Sequence, residues 1–120
     1  MKRILIVDDD PSYAKMVRAW IKAFYKADIV TAGARAADFL KMNTVDLVLL
    51  DYEMPVADGP QVLRMLREQE ETKDTPVVFL TGIDSEERMQ QVRELNPAGF
   101  FLKSSTRDEL LAYLKDKLGE

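Results

Sequence analysis

The sequence predicts one α/β domain built from five strand–helix repeats, a doubly wound open parallel sheet with helices on both faces. Five short apolar runs recur at intervals of roughly 20 to 25 residues, and helical patterns separate them. The runs at residues 4–7, 47–50 and 77–80 are continuously apolar rather than alternating. Strands buried on both faces of a parallel sheet read that way, because neither face is left to water. Parallel neighbours need right-handed crossovers, which places the intervening helices on both sides of the sheet. With 120 residues and no linker, repeat or low-complexity segment, residues 1–120 form a single domain in this reading.

The first strand is Ile4 to Val7, and the helix after it carries Tyr13, Met16, Val17, Trp20, Ile21 and Phe24 at spacings of three and four. Asp10 is its expected N-cap and Pro11 its first residue, where a missing N–H costs nothing. The second strand is Asp28 to Thr31, followed by a short Ala-rich helix at about Arg35 to Met42 with Phe39 and Leu40. After the third strand, Leu47 to Leu50, the third helix opens at Asp58-Gly59-Pro60 and presents Val62, Leu63 and Leu66. Val77 to Leu80 is the fourth strand. Asp84-Ser85-Glu86-Glu87 then reads as a capping box for a helix presenting Met89, Val92 and Leu95, which Asn96-Pro97 stops. Phe100 to Leu102 is the fifth strand, and a second box, Thr106 to Glu109, opens a helix through Leu110, Leu111, Leu114 and Leu118.

Hydrophobic residues make up 47% and charged residues 32%, with 5 Gly and 5 Pro, which excludes collagen-like and disordered classes. No apolar run approaches the ~18 to 20 residues of a membrane span. The start Met1-Lys2-Arg3 with Ile4 to Val7 is cut off by Asp8, short of the ~7 to 15 apolar residues of a signal peptide. The expected setting is the cytoplasm. Cysteine and histidine are both absent. That removes disulfides, the usual zinc sites, Cys nucleophiles, Ser-His-Asp triads and imidazole bases, and leaves carboxylates, Lys, hydroxyls or a hard metal. With 17 Lys and Arg against 21 Asp and Glu the net charge is −4, which argues for proteins or small anions rather than nucleic acid as partners.

Ligands of such sheets bind at the carboxyl ends of the strands. Here those ends carry Asp8-Asp9-Asp10, Asp51, Thr81-Gly82 and Lys103. Asp10 is accounted for as a helix cap. Asp8 and Asp9 precede that cap, and Asp51 is separated from its own helix start at Asp58, so capping explains none of the three. Two carboxylates about 4 Å apart repel by ~4 kcal/mol at an effective dielectric of 20, so three converging acids call for a cation. With oxygen donors alone the fitting ion is Mg²⁺ or Mn²⁺. Three carboxylates, a divalent ion and the Lys103 ammonium sum to zero, which lets the site accept an anionic phosphoryl group. An unbonded Thr81 hydroxyl and the Gly82 N–H are expected as further donors to its oxygens. The set fits phosphoryl transfer onto a carboxylate, where catalysis is positioning and charge neutralisation.

Over its whole length the chain resembles the receiver domains of bacterial two-component response regulators, of the chemotaxis-regulator type. The matching stretches are Ile4-Leu5-Ile6-Val7-Asp8-Asp9, Asp46 to Asp51 with Met54-Pro55 and Asp58-Gly59 after it, Val77 to Gly82, and Phe101-Leu102-Lys103. The resemblance implies a flavodoxin-like strand order 2-1-3-4-5 and a Mg²⁺-dependent transfer from a phosphohistidine to Asp51. The donor would be a sensor histidine kinase or a His-phosphotransfer protein, met by exposed residues of the first helix such as Ser12, Lys15 and Ala19. Asp9, Asp51 and the backbone carbonyl of Glu53 would hold the metal, with Asp8 acting through a water on it. Lys103 would contact the phosphoryl group, Thr81 would swing toward it, and Phe100 would move inward with Thr81. The output would be a protein contact through the fourth helix, fifth strand and fifth helix, in a monomer or a weak phosphorylation-dependent dimer. Such a domain assists its own phosphorylation and dephosphorylation without being an enzyme in the usual sense.

The sequence departs from that pattern in places. Ser104 follows Lys103 where the family usually has Pro, often cis; a non-Pro cis bond costs ~2.5 to 4 kcal/mol, so a trans loop with Lys103 displaced is expected. Phe100 cannot hydrogen-bond in either state, so its part in the switch would be steric. Glu53 and Ile83 occupy places that flank the phosphoryl group and modulate its lifetime, Glu53 by repulsion or an ordering contact, Ile83 by restricting water. Two other readings compete. Asp8-Asp9-Asp10-Pro11-Ser12 also fits the start of haloacid-dehalogenase-type phosphatases, with Asp8 as nucleophile, and a receiver-like module could bind partners without phosphate.

Overall fold

The computed structural model describes residues 1–119. Strands β1 (Arg3–Val7), β2 (Lys26–Val30), β3 (Leu47–Asp51), β4 (Val77–Thr81) and β5 (Gly99–Leu102) alternate with helices α1 (Pro11–Ile21), α2 (Gly33–Met42), α3 (Gly59–Arg67), α4 (Glu86–Gln91) and α5 (Arg107–Leu118). They form one parallel sheet in the order β2-β1-β3-β4-β5. This is the flavodoxin-like order expected. Because successive strand residues face opposite sides, the apolar runs divide between two cores. Leu5, Val7, Val48, Leu50, Val77 and Phe79 pack with Ala36, Leu40, Val62, Leu63 and Leu66 of α2 and α3. Ile4, Ile6, Leu47, Leu49, Val78 and Leu80 pack with Ala14, Val17, Ile21, Leu110 and Leu114 of α1 and α5. No helix among the described residues is long and apolar enough to cross a membrane.

Three helix starts carry the caps their sequences predict. Asp10 Oδ1 accepts from the N–H groups of Ser12 and Tyr13 ahead of Pro11, and Asp58 forms a reciprocal box with Gln61 at α3. At α5, Thr106 Oγ1 accepts from Glu109 N at 3.2 Å while Glu109 Oε1 accepts from Thr106 N at 2.9 Å. Thr106→Ala removes one half of that box and is expected to cost about 1 kcal/mol, a fall of roughly 4 °C in melting temperature by calorimetry.

Several boundaries differ from expectation. β2 starts two residues earlier, at Lys26, because an edge strand needs no apolar run: Lys26 N donates to Lys2 O at 2.9 Å, and Asp28 is taken up by Arg3 at 2.9 Å. The α1 stripe ends at Ile21; Phe24 falls in the following turn with 53% of its surface exposed, and the neighbouring Tyr25 is buried in its place. Met16 is likewise exposed rather than packed. At α4 the cap is Ser85, not Asp84, and its side chain meets Arg88 N, so the Asp84 to Glu87 box does not form. The helix has six residues, continues as a 3₁₀ turn at Arg93–Leu95, and ends on Asn96 at φ 51°, the left-handed stop expected of Asn before Pro.

Candidate functional site

The sheet register brings the polar strand ends to one rim. Val7 lies beside Leu50, Asp51 beside Leu80, and Thr81 beside Leu102, so Asp8, Asp51, Thr81 and Lys103 emerge side by side. Asp8 is fully buried and extends the β1 ladder through its N–H to Val30 O at 3.2 Å. Its Oδ1 accepts from Asp10 N at 2.9 Å. Asp51, 3% exposed, ends β3 and its Oδ1 accepts from Glu53 N at 3.3 Å. One carboxylate oxygen from each of Asp8, Asp9 and Asp51 lies within 4.8 Å of the others. The Lys103 ammonium stands 2.8 Å from Asp8 Oδ2 and 3.1 Å from Asp51 Oδ1.

One ammonium does not neutralise three acids. Burial first, then the Asp8 charge and the Asp9 contact, together push the Asp51 carboxyl up to about 7, with Lys103 offsetting only part of their effect. For Lys103, burial works downward, but the contacts with Asp8 and Asp51 outweigh it and hold the ammonium above its ordinary range. Asp8 Oδ2 is buried without a hydrogen bond and faces only that ammonium among the ion pairs described. A buried carboxylate oxygen without a hydrogen bond, inside an all-oxygen cluster with surplus negative charge, fits a hard divalent cation.

The site opens to solvent as a cavity of about 320 Å³ lined by Asp9, Asp51, Glu53, Thr81, Gly82, Ile83 and Lys103. Every residue singled out for chemistry from the sequence therefore meets at one place, apart from Phe100, which lies behind Thr81. Phe100 is half-buried, stacks on Phe79 at 5.3 Å, and lines a second cavity of about 230 Å³ with Thr81, Ile83, Met89 and Tyr113.

Two expectations are corrected. Lys103 is not displaced by Ser104: no peptide bond among the described residues is cis, yet Lys103 N still donates to Thr81 O at 2.9 Å and the ammonium reaches both carboxylates. A turn with Ser105 N on Leu102 O at 3.0 Å brings the chain round without a proline. The Thr81 hydroxyl is not unbonded either. It donates to Ile83 O at 3.1 Å and accepts from Ile83 N at 3.2 Å and from Arg88 Nη1 at 3.0 Å.

Three contributors escape a reading by motif. The Lys103 ammonium lies 4.8 Å from the Tyr13 ring centroid, a cation–π contact from a residue whose spacing marks it only as part of the α1 stripe. Burial, with smaller contributions from Asp8 and Asp51 and against the opposing charge of Lys103, holds the Tyr13 hydroxyl up at about 12. Tyr52 is buried edge-on against Phe79, 5.2 Å between centroids. Arg88 spans Thr81, Glu53 and the Tyr52 ring. Of the three, only Tyr52 stands next to a site acid in the sequence, directly after Asp51.

The family model of the response regulator receiver domain matches residues 4–115. The chain belongs to this family. The response regulator Rre1 of Synechocystis is 32% identical over 117 residues, which cover 96% of this chain and 51% of that protein. Among solved structures, the chemotaxis protein CheY4 of Vibrio cholerae superposes with a TM-score of 0.91 at 28% identity, over 97% of this chain and 98% of that one. The receiver domain of the sensor histidine kinase PA1611 from Pseudomonas aeruginosa, with a magnesium ion coordinated in its active site cleft, superposes at 0.88 with 25% identity, over 99% of this receiver domain and 98% of that one. The chain spans 23% to 53% of the length of the first curated relatives it matches. The family is one of signalling domains rather than classical enzymes, and neither competing reading gains support. Asp10, the second acid a phosphatase motif would use, is committed to capping α1.

Proposed function

We propose that this receiver domain accepts a phosphoryl group on Asp51 from a phosphohistidine of a partner kinase or His-phosphotransfer protein. The observation that carries the reading is a buried carboxylate at a strand end, 3.1 Å from an ammonium and within 4.8 Å of two further acids, opening on a cavity of about 320 Å³. An Asp51 oxygen attacks phosphorus, the phosphorus–nitrogen bond breaks, and its electron pair leaves with the donor imidazole. Lys103 neutralises the transferring group, and the N–H of Gly82, a residue that lines the cavity, donates to it. The carboxylates of Asp8, Asp9 and Asp51 with the backbone carbonyl of Glu53 are the groups that would hold Mg²⁺ or Mn²⁺. Such an ion supplies charge neutralisation of the phosphoryl oxygens.

Thr81 then turns from Ile83 toward the new anion, leaving room beside the second cavity into which Phe100 moves. The face of α4, β5 and α5 is thereby switched for a downstream protein. Ile83, 53% exposed at the mouth, limits water reaching the phosphoryl group, and the paired Glu53 contributes order rather than free repulsion. The domain acts in the cytoplasm as a monomer or a weak phosphorylation-dependent dimer.

The test is intact mass after incubation with acetyl phosphate, with Mg²⁺ or with chelator. The expected outcome is a gain of one phosphoryl group that requires Mg²⁺. No adduct under either condition would turn the reading toward a module that binds its partners without phosphate.

A further inference from the structure

Arg88 ties the phosphoacceptor cavity to α4. Its backbone N–H donates to the Ser85 cap hydroxyl at 3.3 Å, fixing it in the first turn. Its guanidinium makes three separate contacts: Nη1 donates to Thr81 Oγ1 at 3.0 Å, Nη2 pairs with Glu53 Oε1, and the group lies 4.6 Å from the Tyr52 ring centroid. Those partners follow or end β3 and β4, and none belongs to α4. The Tyr52 hydroxyl donates in turn to Gln91 Oε1 at 3.0 Å, so the helix is held at two points one turn apart. α4 has six residues and buries none of them, which leaves these polar contacts as its attachment to the site.

The Thr81 hydroxyl has a single proton, and Ile83 O takes it. Its oxygen accepts from Ile83 N and from Arg88. A hydroxyl engaged in all three ways cannot donate to a phosphoryl oxygen on Asp51 without turning, and turning breaks the Arg88 bond. A planar guanidinium serves two acceptors and an aromatic face together, which a point-charge ammonium does not reproduce.

We infer that Arg88 is a positioning residue that holds Thr81 turned away from Asp51 in the resting domain, so that accepting a phosphoryl group and releasing the first turn of α4 are one event. The inference rests on the receiver chemistry proposed above.

Arg88→Lys is the decisive variant, because it keeps the positive charge that meets an anionic donor and removes the fork. In the unphosphorylated protein the Thr81 methyl resonance and its χ1-dependent couplings are expected to change from one rotamer to a mixture. Phosphoryl gain from acetyl phosphate with Mg²⁺ is expected to quicken about tenfold, equivalent to about 1.4 kcal/mol. In a Thr81→Ala background the same substitution is expected to change the rate less than about twofold, since the group it acts through is gone. Thr81 couplings unmoved by Arg88→Lys, or an acceleration that persists without the hydroxyl, would overturn the inference. If wild type takes no phosphoryl group, the reading of Asp51 fails and the Thr81 couplings alone decide for or against Arg88.

Discussion

Asp51→Asn is expected to stabilise the metal-free domain at pH 8 while abolishing its phosphoryl acceptance. Burial, Asp8 and Asp9 together raise the Asp51 carboxyl from 3.8 to about 7 in the folded chain. Between those values the native state holds a proton that the unfolded state has lost, so stability falls as pH rises through the window. One such proton is worth about 1.4 kcal/mol per pH unit. From pH 5 to pH 7 the metal-free wild type is thus expected to lose on the order of 2 to 3 kcal/mol, levelling off above pH 7. Asn has no proton to give up, so the variant lacks this slope, matches wild type near pH 5 and exceeds it at pH 8. A divalent cation added at pH 8 should return much of the difference to wild type, because it binds the ionised native cluster and not the unfolded chain. Urea unfolding in chelator at several pH values is the measurement. Parallel curves for the two proteins would show that the acids are not in conflict, and with that the charge argument for a bound cation would lose its footing.

Gly59→Ala is expected to destabilise the domain by about 3 kcal/mol, the reverse of what helix propensity suggests for a Gly in a first turn. A Cβ added there would lie 2.5 Å from the Asp51 carbonyl oxygen, 2.8 Å from Tyr52 Cα and 3.0 Å from Phe79 Cε1. Two of these are backbone atoms, which can move only together with the end of β3. Nor can residue 59 retreat, since its own N–H donates to Tyr52 O at 2.9 Å and Asp58 fixes the helix start. The relief available is a shift of the end of β3, which carries Asp51 away from Lys103. Phosphoryl gain should therefore slow in the variant even where it remains folded. For stability alone, Gly82→Ala is the matched control, because a Cβ there meets nothing within 4 Å. An unfolding midpoint for Gly59→Ala at or above that of wild type would show that the contact is relieved elsewhere.

The parts of this molecule that could be read from the chain are those with a local cause. Continuous apolar runs locate β3 and β4 because both faces of those strands are covered, and the caps at Asp10, Asp58 and Thr106 act within three residues of themselves. β2 was misplaced because its order comes from pairing with β1 and from Arg3, not from its own hydrophobicity. Phe24 looked periodic with α1, but a helix that stops at Ile21 no longer carries residue 24 to the core. At the site, Asp8, Asp9, Asp51, Thr81 and Lys103 were legible as strand ends, since a parallel sheet places all such ends together. Arg88 was not: its partners lie 7 and 35 residues away in sequence, and only the packing of α4 across the rim brings them into reach. The state of the Thr81 hydroxyl was missed for the same reason.

The rim opposite the acids is built quite differently. Between α3 and β4, residues 68–76 turn back on themselves, with Thr72 Oγ1 donating to Leu66 O at 2.7 Å and Thr75 N to Thr72 O at 3.1 Å. Arg67 clamps this loop to the next one through Thr75 O at 2.8 Å, Leu95 O at 2.7 Å and Asn96 O at 3.1 Å. Glu70 and Glu71, at the tip, are exposed. Sequence spliced in between them would extend the molecule from its far end, a full strand length from every group that handles phosphate, with the Arg67 clamp shielding β4 from the strain of the graft. The architecture thus separates a rim where a methyl group added at Gly59 is felt from one where an inserted segment is expected to be tolerated.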